Sequence, residues 1–282
     1  MSGIRIFICI CLGSVALSAS AQEVVCSAMD SLDFERRIAI IQELPTDNKS
    51  DLLIAIGKTF LSTPYVAHTL DKNQEEELVI NFLGLDCTTF LENAITFTLM
   101  RCKEQNSLED FAAQLTEIRY RKGVRDGYAS RLHYFTEWIA DNEEKGILED
   151  VTQRLGGEMA DASRTFMSSH RESYPMLANE AHYQEILEAE AQLKASPYYV
   201  IPHSSLRTLE SRLKDGDILA FATKIDGLDV THTALVIKQE NRVHILHASS
   251  SGQVEISKLP LLEYIKGIKH SSGLIVARLK EQ

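Results

Sequence analysis

The 282-residue chain has no CxxC pair, which removes thioredoxin-like redox sites and zinc ribbons. HExxH, GxxxxGK[ST] and GxGxxG are also missing, so zincin, P-loop and dinucleotide-binding readings lack the residues their chemistry requires. Basic residues are in short supply: 29 Lys and Arg stand against 40 Asp and Glu, a net charge of −11 that repels phosphate backbones and anionic lipid. No nucleic-acid partner is expected. The longest apolar run falls well below the roughly 20 residues that a membrane-spanning helix needs, so no stable membrane span is expected.

That run lies at the start of the chain. Arg5, the twelve apolar-rich residues 6–17 and the small-x-small pattern Ala19-Ser20-Ala21 read as an export signal covering residues 1–21, with Gln22 the expected mature start. Cleavage removes Cys9, Cys11, one arginine and no acid, leaving a net charge of −12. Localisation is then expected to be secreted or periplasmic. Cys26, Cys87 and Cys102 remain, an odd number in an oxidising compartment, so at least one stays free. Whether Cys26 and Cys102 pair is open.

Hydrophobic spacing divides the rest. Residues 30–122 carry helical periods, as at 51–56 and 108–120; residues 130–141, with Leu132, Tyr134, Phe135, Trp138 and Ile139, continue them, and 180–194 is an acidic, alanine-rich helix. From Asp217 the period changes. Segments 218–223, 231–238, 243–249, 253–256 and 274–279 are short, rich in Val, Ile, Leu and Thr, and separated by turn residues, which predicts an antiparallel meander. The expected fold class is α+β: a single domain over 22–282, helices first and sheet last, with a helical insertion at about 104–200.

Two features suggest chemistry. In Gly84-Leu85-Asp86-Cys87-Thr88-Thr89, turn and N-cap residues precede the apolar helical face of Phe90, Leu91, Ala94, Ile95 and Leu99, so Cys87 falls in a first helical turn. The positive end of the helix dipole there favours a thiolate and lowers the thiol pKa; a buried structural cysteine is the alternative. A thiolate nucleophile needs a base and an orienting partner. Alternation puts His232 on one face with Ala234 and Val236, and His247 with Val243 and Ile245, so neighbouring antiparallel strands bring both imidazoles together. No third clustered ligand accompanies them, so no metal is expected. His170 and His203 lie in polar stretches and are expected at the surface.

Asp86-Cys87-Thr88-Thr89-Phe90 resembles the nucleophile motif of the NlpC-type cell-wall cysteine peptidases, a papain-like superfamily. Gly216-Asp217-Ile218 is similar to the start of its first sheet strand, the run from His232 to Val236 to its base-bearing strand, and His247-Ala248-Ser249 to its third residue. Thr63-Pro64-Tyr65 resembles the element upstream of the cysteine. The closer resemblance is to the N-acetylmuramoyl-L-alanine amidase-like branch, carried by the threonine pair with Glu92, by Ser130-Arg131-Leu132-His133-Tyr134-Phe135 with Trp138, and by Gly227 to His232.

The resemblance implies a papain-like α+β fold and a cell-wall hydrolase acting on peptidoglycan or muropeptide fragments without a cofactor. Cys87 would be the nucleophile, His232 the base and His247 its orienting partner. The Cys87 N–H and Tyr65 hydroxyl become oxyanion candidates, and Arg131, Glu92 and His133 substrate contacts, with Glu92 reaching a substrate amine or Arg131. Tyr134 and Trp138 fit a sugar-facing wall or a packed core equally by spacing. Stem-peptide endopeptidase activity at a γ-D-glutamyl bond, or non-catalytic wall binding, are the alternatives.

Overall fold

The computed structural model describes residues 24–45, 47–160 and 163–281. The expected export signal, with Cys9 and Cys11, lies outside them. Nine α-helices are assigned within that range: α1 (Ala28–Gln42), α2 (Lys49–Lys58), α3 (Cys87–Cys102), α4 (Leu108–Arg119), α5 (Phe135–Glu144), α6 (Phe166–Ser169), α7 (Glu180–Leu193), α8 (Leu206–Leu209) and α9 (Leu261–Tyr264). The strands are β1 (Val24–Cys26), β2 (Leu78–Ile80), β3 (Leu148–Asp150), β4 (Glu158–Ala160), β5 (Tyr198–Pro202), β6 (Ile218–Thr223), β7 (Val230–Gln239), β8 (Arg242–Ala248), β9 (Val254–Ile256) and β10 (Ser271–Leu279). The fold is α+β. No helix among the described residues is long and apolar enough to cross a membrane.

β6 to β9 form the meander that alternation predicts, and β10 pairs antiparallel with β6. The insertion is not purely helical. Its β4 and β5 extend the sheet beyond β10 in the order β4-β5-β10-β6-β7-β8-β9, and β3 pairs with the end of β10. Strands of three to five residues are too short to show a readable period, which is why the pattern passes over them. Among the described residues, Cys26, Cys87 and Cys102 form no disulfide.

Each face of the sheet buries its own apolar set. Ile218, Ala220, Ala222, Leu235, Ile237 and Leu246 meet the large core around α2 and α3; Leu219, Phe221, Ala234, Val236, Val243 and Ile245 meet Leu206, Leu209, Leu261 and Ile265 from α8 and α9 and the turn after α9. α3 is the hub of the first core. Every residue from Thr89 to Met100 is buried, and Phe97 packs with Phe34, Phe60, Phe82 and Phe111 at ring separations of 4.7 to 6.2 Å. A helix sealed along its length presents only its ends, and the N-terminal end carries Cys87.

Gly216 lets the chain enter the sheet. Its φ is +77°, and a Cβ there would lie 2.9 Å from the Cα and carbonyl oxygen of Ser50. The next residue, Asp217, takes both Nε and Nη2 of Arg278, tying β6 to β10. Gly216→Ala is expected to cost about 2 kcal/mol through backbone strain and this close approach. A urea midpoint that is unchanged in this variant would show that the turn relaxes freely.

Candidate active site

Asp86 starts α3 with a reciprocal cap: its carboxylate accepts from Thr89 N–H at 2.8 Å, and Thr89 Oγ1 accepts from Asp86 N–H at 2.9 Å. Such a cap contributes roughly 1 kcal/mol and fixes the direction in which the first turn faces. Thr89 N–H is thereby used. Among the described residues, no hydrogen bond to the Cys87 or Thr88 N–H accompanies it, so two backbone donors stay free beside the sulfur.

His232 belongs by alternation to the α8–α9 face, while α3 packs on the other. His232 keeps its place on the α8–α9 face, its ring 5.5 Å from Phe221, and β7 carries a β-bulge beside it. Phe221 pairs with His232 but Ala222 pairs with Val230, leaving Thr231 as an extra residue in β7. Bulges of this kind bend a strand and re-aim its side chains. Just beyond it, Thr233 Oγ1 donates to the Cys87 carbonyl at 2.9 Å, stitching the end of α3 to β7. Cys87, Thr88, Thr231, His232 and Thr233 then line one cavity of about 120 Å³ with Leu132, His133, Phe135, Leu228, Asp229 and Val230. Cys87 is partly exposed there and forms no hydrogen bond to His232.

His232 Nε2 and His247 Nδ1 lie 2.8 Å apart, the juxtaposition that alternation predicts. Burial holds His232 neutral, with a pKa pulled down to about 3 and helped by the nearby His247, and it holds His247 neutral at about 4. The expected thiolate needs correction. Burial raises the Cys87 thiol, the adjacent Asp86 carboxylate raises it further, and hydrogen bonds with Thr233 and Thr88 only partly offset them. A dipole at the helix mouth is worth a fraction of what removal from water costs a thiolate. The resting pair is therefore a thiol beside a neutral imidazole.

Tyr65 is brought to the same end of α3. Leu85 N–H donates to Pro64 O at 3.0 Å and Val66 N–H to Leu85 O at 3.1 Å, while Tyr65 N–H is held by Gly252 O at 2.8 Å. Burial raises the Tyr65 phenol, and the neighbouring Cys87 and Asp86 raise it further. His133 also reaches the cavity. Its Nε2 donates to Tyr128 O at 2.8 Å, and burial, with Arg131 nearby, keeps it neutral at about 3.

Two expected substrate contacts are placed elsewhere. Glu92 is 2 % exposed and forms an ion pair with Arg119, whose Nε donates to it at 2.8 Å; it meets neither open cleft nor a bond to Arg131. Arg131 is 7 % exposed, hydrogen-bonded to Asp71, 3.7 Å from Glu76 and over the Tyr128 ring, so its charge is already matched inside the protein. Both follow from the cost of burying an unpaired charge. Arg131 also pairs with Tyr120 in an isolated bridge, which ends the helical reading of 130–134. α5 begins only at Phe135, where Asp229 accepts from Thr136 N–H and Oγ1, both at 2.8 Å. Tyr134 and Trp138 take the core alternative: Tyr134 donates to Glu190 at 2.7 Å and Trp138 stacks on Phe135. Of the histidines expected at the surface, His203 is exposed, while His170 is half-buried on Phe166. The Thr231 bulge, the Asp229 cap and Tyr264 beside His247 were not signalled by any periodic pattern.

Residues 55–273 match the AmiA-like, N-acetylmuramoyl-L-alanine amidase-like family. An N-acetylmuramoyl-L-alanine amidase from Bacteroides uniformis is 36% identical with a TM-score of 0.78, the match covering 83% of this chain and 99% of that one. A proposed xylanase from Bacteroides fragilis is 37% identical with a TM-score of 0.74, over 79% and 98% of the two chains. A Legionella pneumophila protein at 19% identity and TM-score 0.69, over 90% and 95%, shares the fold. A search of the curated proteins finds no match. The chain belongs to the N-acetylmuramoyl-L-alanine amidase-like family.

The buried neutral histidines have a consequence for stability. The folded pKa of His247 lies below its ordinary value of 6.5, at about 4. Above pH 6.5 the group is neutral folded or unfolded and stability is full; as pH falls toward 4 the unfolded chain takes up a proton that the folded one refuses. This group alone is expected to remove about 3 kcal/mol across that window. Urea midpoints measured from pH 7 to 4 should fall accordingly, and His247→Asn should flatten the dependence; an equal slope in both proteins would refute the assignment.

Proposed function

We propose that this chain is a cysteine-dependent N-acetylmuramoyl-L-alanine amidase of the papain-like NlpC superfamily, cutting the amide between N-acetylmuramic acid and L-alanine in peptidoglycan or its soluble fragments. The observation that carries the reading is the shared cavity of Cys87 and His232, with His247 2.8 Å behind the imidazole. Family membership supports the bond cleaved. Export to the periplasm or beyond is part of the proposal and rests on residues 1–21.

Because thiol and imidazole are both neutral at rest, attack and proton transfer are coupled. Cys87 Sγ adds to the lactyl carbonyl carbon as its proton passes to His232 Nδ1. The oxyanion forms beside the free Cys87 N–H and the Tyr65 hydroxyl. Collapse breaks the C–N bond, and the proton on His232 goes to the leaving amine of L-alanine. Water then attacks the thioester, giving its proton to His232, and the lactyl carboxylate departs as Sγ is reprotonated. His247 accepts from His232 Nε2 throughout, which leaves Nδ1 as the base.

The wall built by Leu132, His133, Phe135 and residues 228–231 favours small, soluble muropeptides over polymeric murein. A glycosidase reading, suggested by the name of the Bacteroides fragilis protein, needs a pair of carboxylates flanking the bond. The cavity lining includes one, Asp229, which is engaged in capping α5.

Mass spectrometry of muropeptides digested with the protein tests the bond: sugar freed of intact peptide is expected, and shortened stems would identify an endopeptidase instead. Cys87→Ala should abolish turnover; full activity in that variant would remove the thiol from the mechanism. Tyr65→Phe should lower kcat by roughly 10²-fold with KM little changed, the scale for losing one oxyanion donor. A wild-type kcat would assign Tyr65 to packing.

A further inference from the structure

His247 is completely buried, yet among the described residues its Nε2 has no hydrogen-bond partner. Its Nδ1 faces His232 Nε2 at 2.8 Å, and one of these two nitrogens must carry the shared proton. The choice fixes both rings. When His232 donates, its Nδ1 keeps a lone pair for the Cys87 proton and His247 carries its own proton on Nε2. When His247 donates, His232 is protonated on Nδ1 and has no lone pair to offer, and His247 Nε2 is a bare lone pair. Only the first arrangement has a base. Nothing within the His232–His247 contact itself selects it, because either nitrogen is able to donate.

The selection must come from what lies beyond His247. Glu255 stands opposite it across β8–β9 but forms no hydrogen bond with it. The ring of Tyr264, at the end of α9, meets the His247 ring at 5.3 Å and 77°, an edge-to-face contact. That same ring meets Phe221 at 6.0 Å and 61°, and Phe221 lies 5.5 Å from His232, so the two histidines and two aromatic rings form one closed cluster. An aromatic face carries excess negative charge: it attracts an N–H and repels a lone pair.

We propose that Tyr264 is a positioning residue whose ring face receives the His247 Nε2–H and thereby holds His232 in the tautomer that leaves Nδ1 free toward Cys87. Tyr264 acts through the His247 ring; its phenol also lies within the field of Cys87 and Glu255, and Tyr264→Phe separates that hydroxyl from the ring face. The proposal deepens the thiol mechanism above and rests on it for its effect on turnover. Its structural content, the location of two protons, is independent of that mechanism.

The ring's electrostatics are the variable to test. Tyr264→Leu removes the face and is expected to lower kcat about tenfold with KM unchanged, a fraction of the loss known for a histidine forced into its wrong tautomer; Tyr264→Phe should rescue it. Replacing Tyr264 with pentafluorophenylalanine keeps the shape but reverses the sign of the face, so it should lower kcat as the leucine does. Histidine side-chain ¹⁵N NMR on the same proteins reads the protons directly. His247 is expected to be protonated on Nε2 with tyrosine or phenylalanine at 264, and to shift toward Nδ1 with the fluorinated ring. An unchanged tautomer in the fluorinated protein overturns the proposal, and so does a tautomer shift that leaves kcat untouched. A failure of the thiol reading shows separately, as activity in Cys87→Ala, and the NMR result on that protein still decides where the protons sit.

Discussion

The burial of α3 is the constraint from which the rest of the molecule follows. Twelve consecutive residues, Thr89 to Met100, are sealed between α1, α2, α4 and the sheet. A helix held in this way cannot rotate or slide without opening the phenylalanine cluster around Phe97, where the loss of one ring costs several kcal/mol. Its first turn is therefore rigid, and the Asp86 cap and the Thr233 bond to the Cys87 carbonyl lock it against β7. Cys87 is fixed by packing that extends well away from the cavity, so its position depends on residues far from the cavity lining.

The electrostatics of the cavity follow from the same burial. Cys87, His133, His232 and His247 are all held in their neutral forms, because a low-dielectric setting penalises whichever form is charged. Charges that do occur nearby, on Arg119, Glu92, Arg131 and Asp71, are matched within the protein. The site stores no ion pair in advance.

Much of this was legible in the sequence. β6 to β9 and the final strand fall where alternation placed them to within a few residues, because each face of the sheet is buried and a one-residue slip would expose it. Cys87 at a helix start was readable from Asp86 and the threonines, and the proximity of His232 and His247 from their parity on neighbouring strands. What escaped depends on contacts between distant segments. Arg131 and Glu92 carry the same letters whether they face a sugar or a buried partner, and Asp71 and Arg119 are 60 and 27 residues away from them. The thiol pKa also depends on how thoroughly the helix end is covered, which no local motif encodes. The bulge at Thr231 is a mismatch between two strands and exists only once they are paired.

The bond from Thr136 to Asp229 gives the inserted segment a second role. Asp229 stands three residues before His232, at the head of the strand that carries it, and it terminates the helix that forms the cavity wall. Wall and strand are thus joined through one carboxylate. A change that reshapes the wall at the start of α5 is therefore carried to the head of β7, so the lining of the cavity and the placement of His232 do not vary independently.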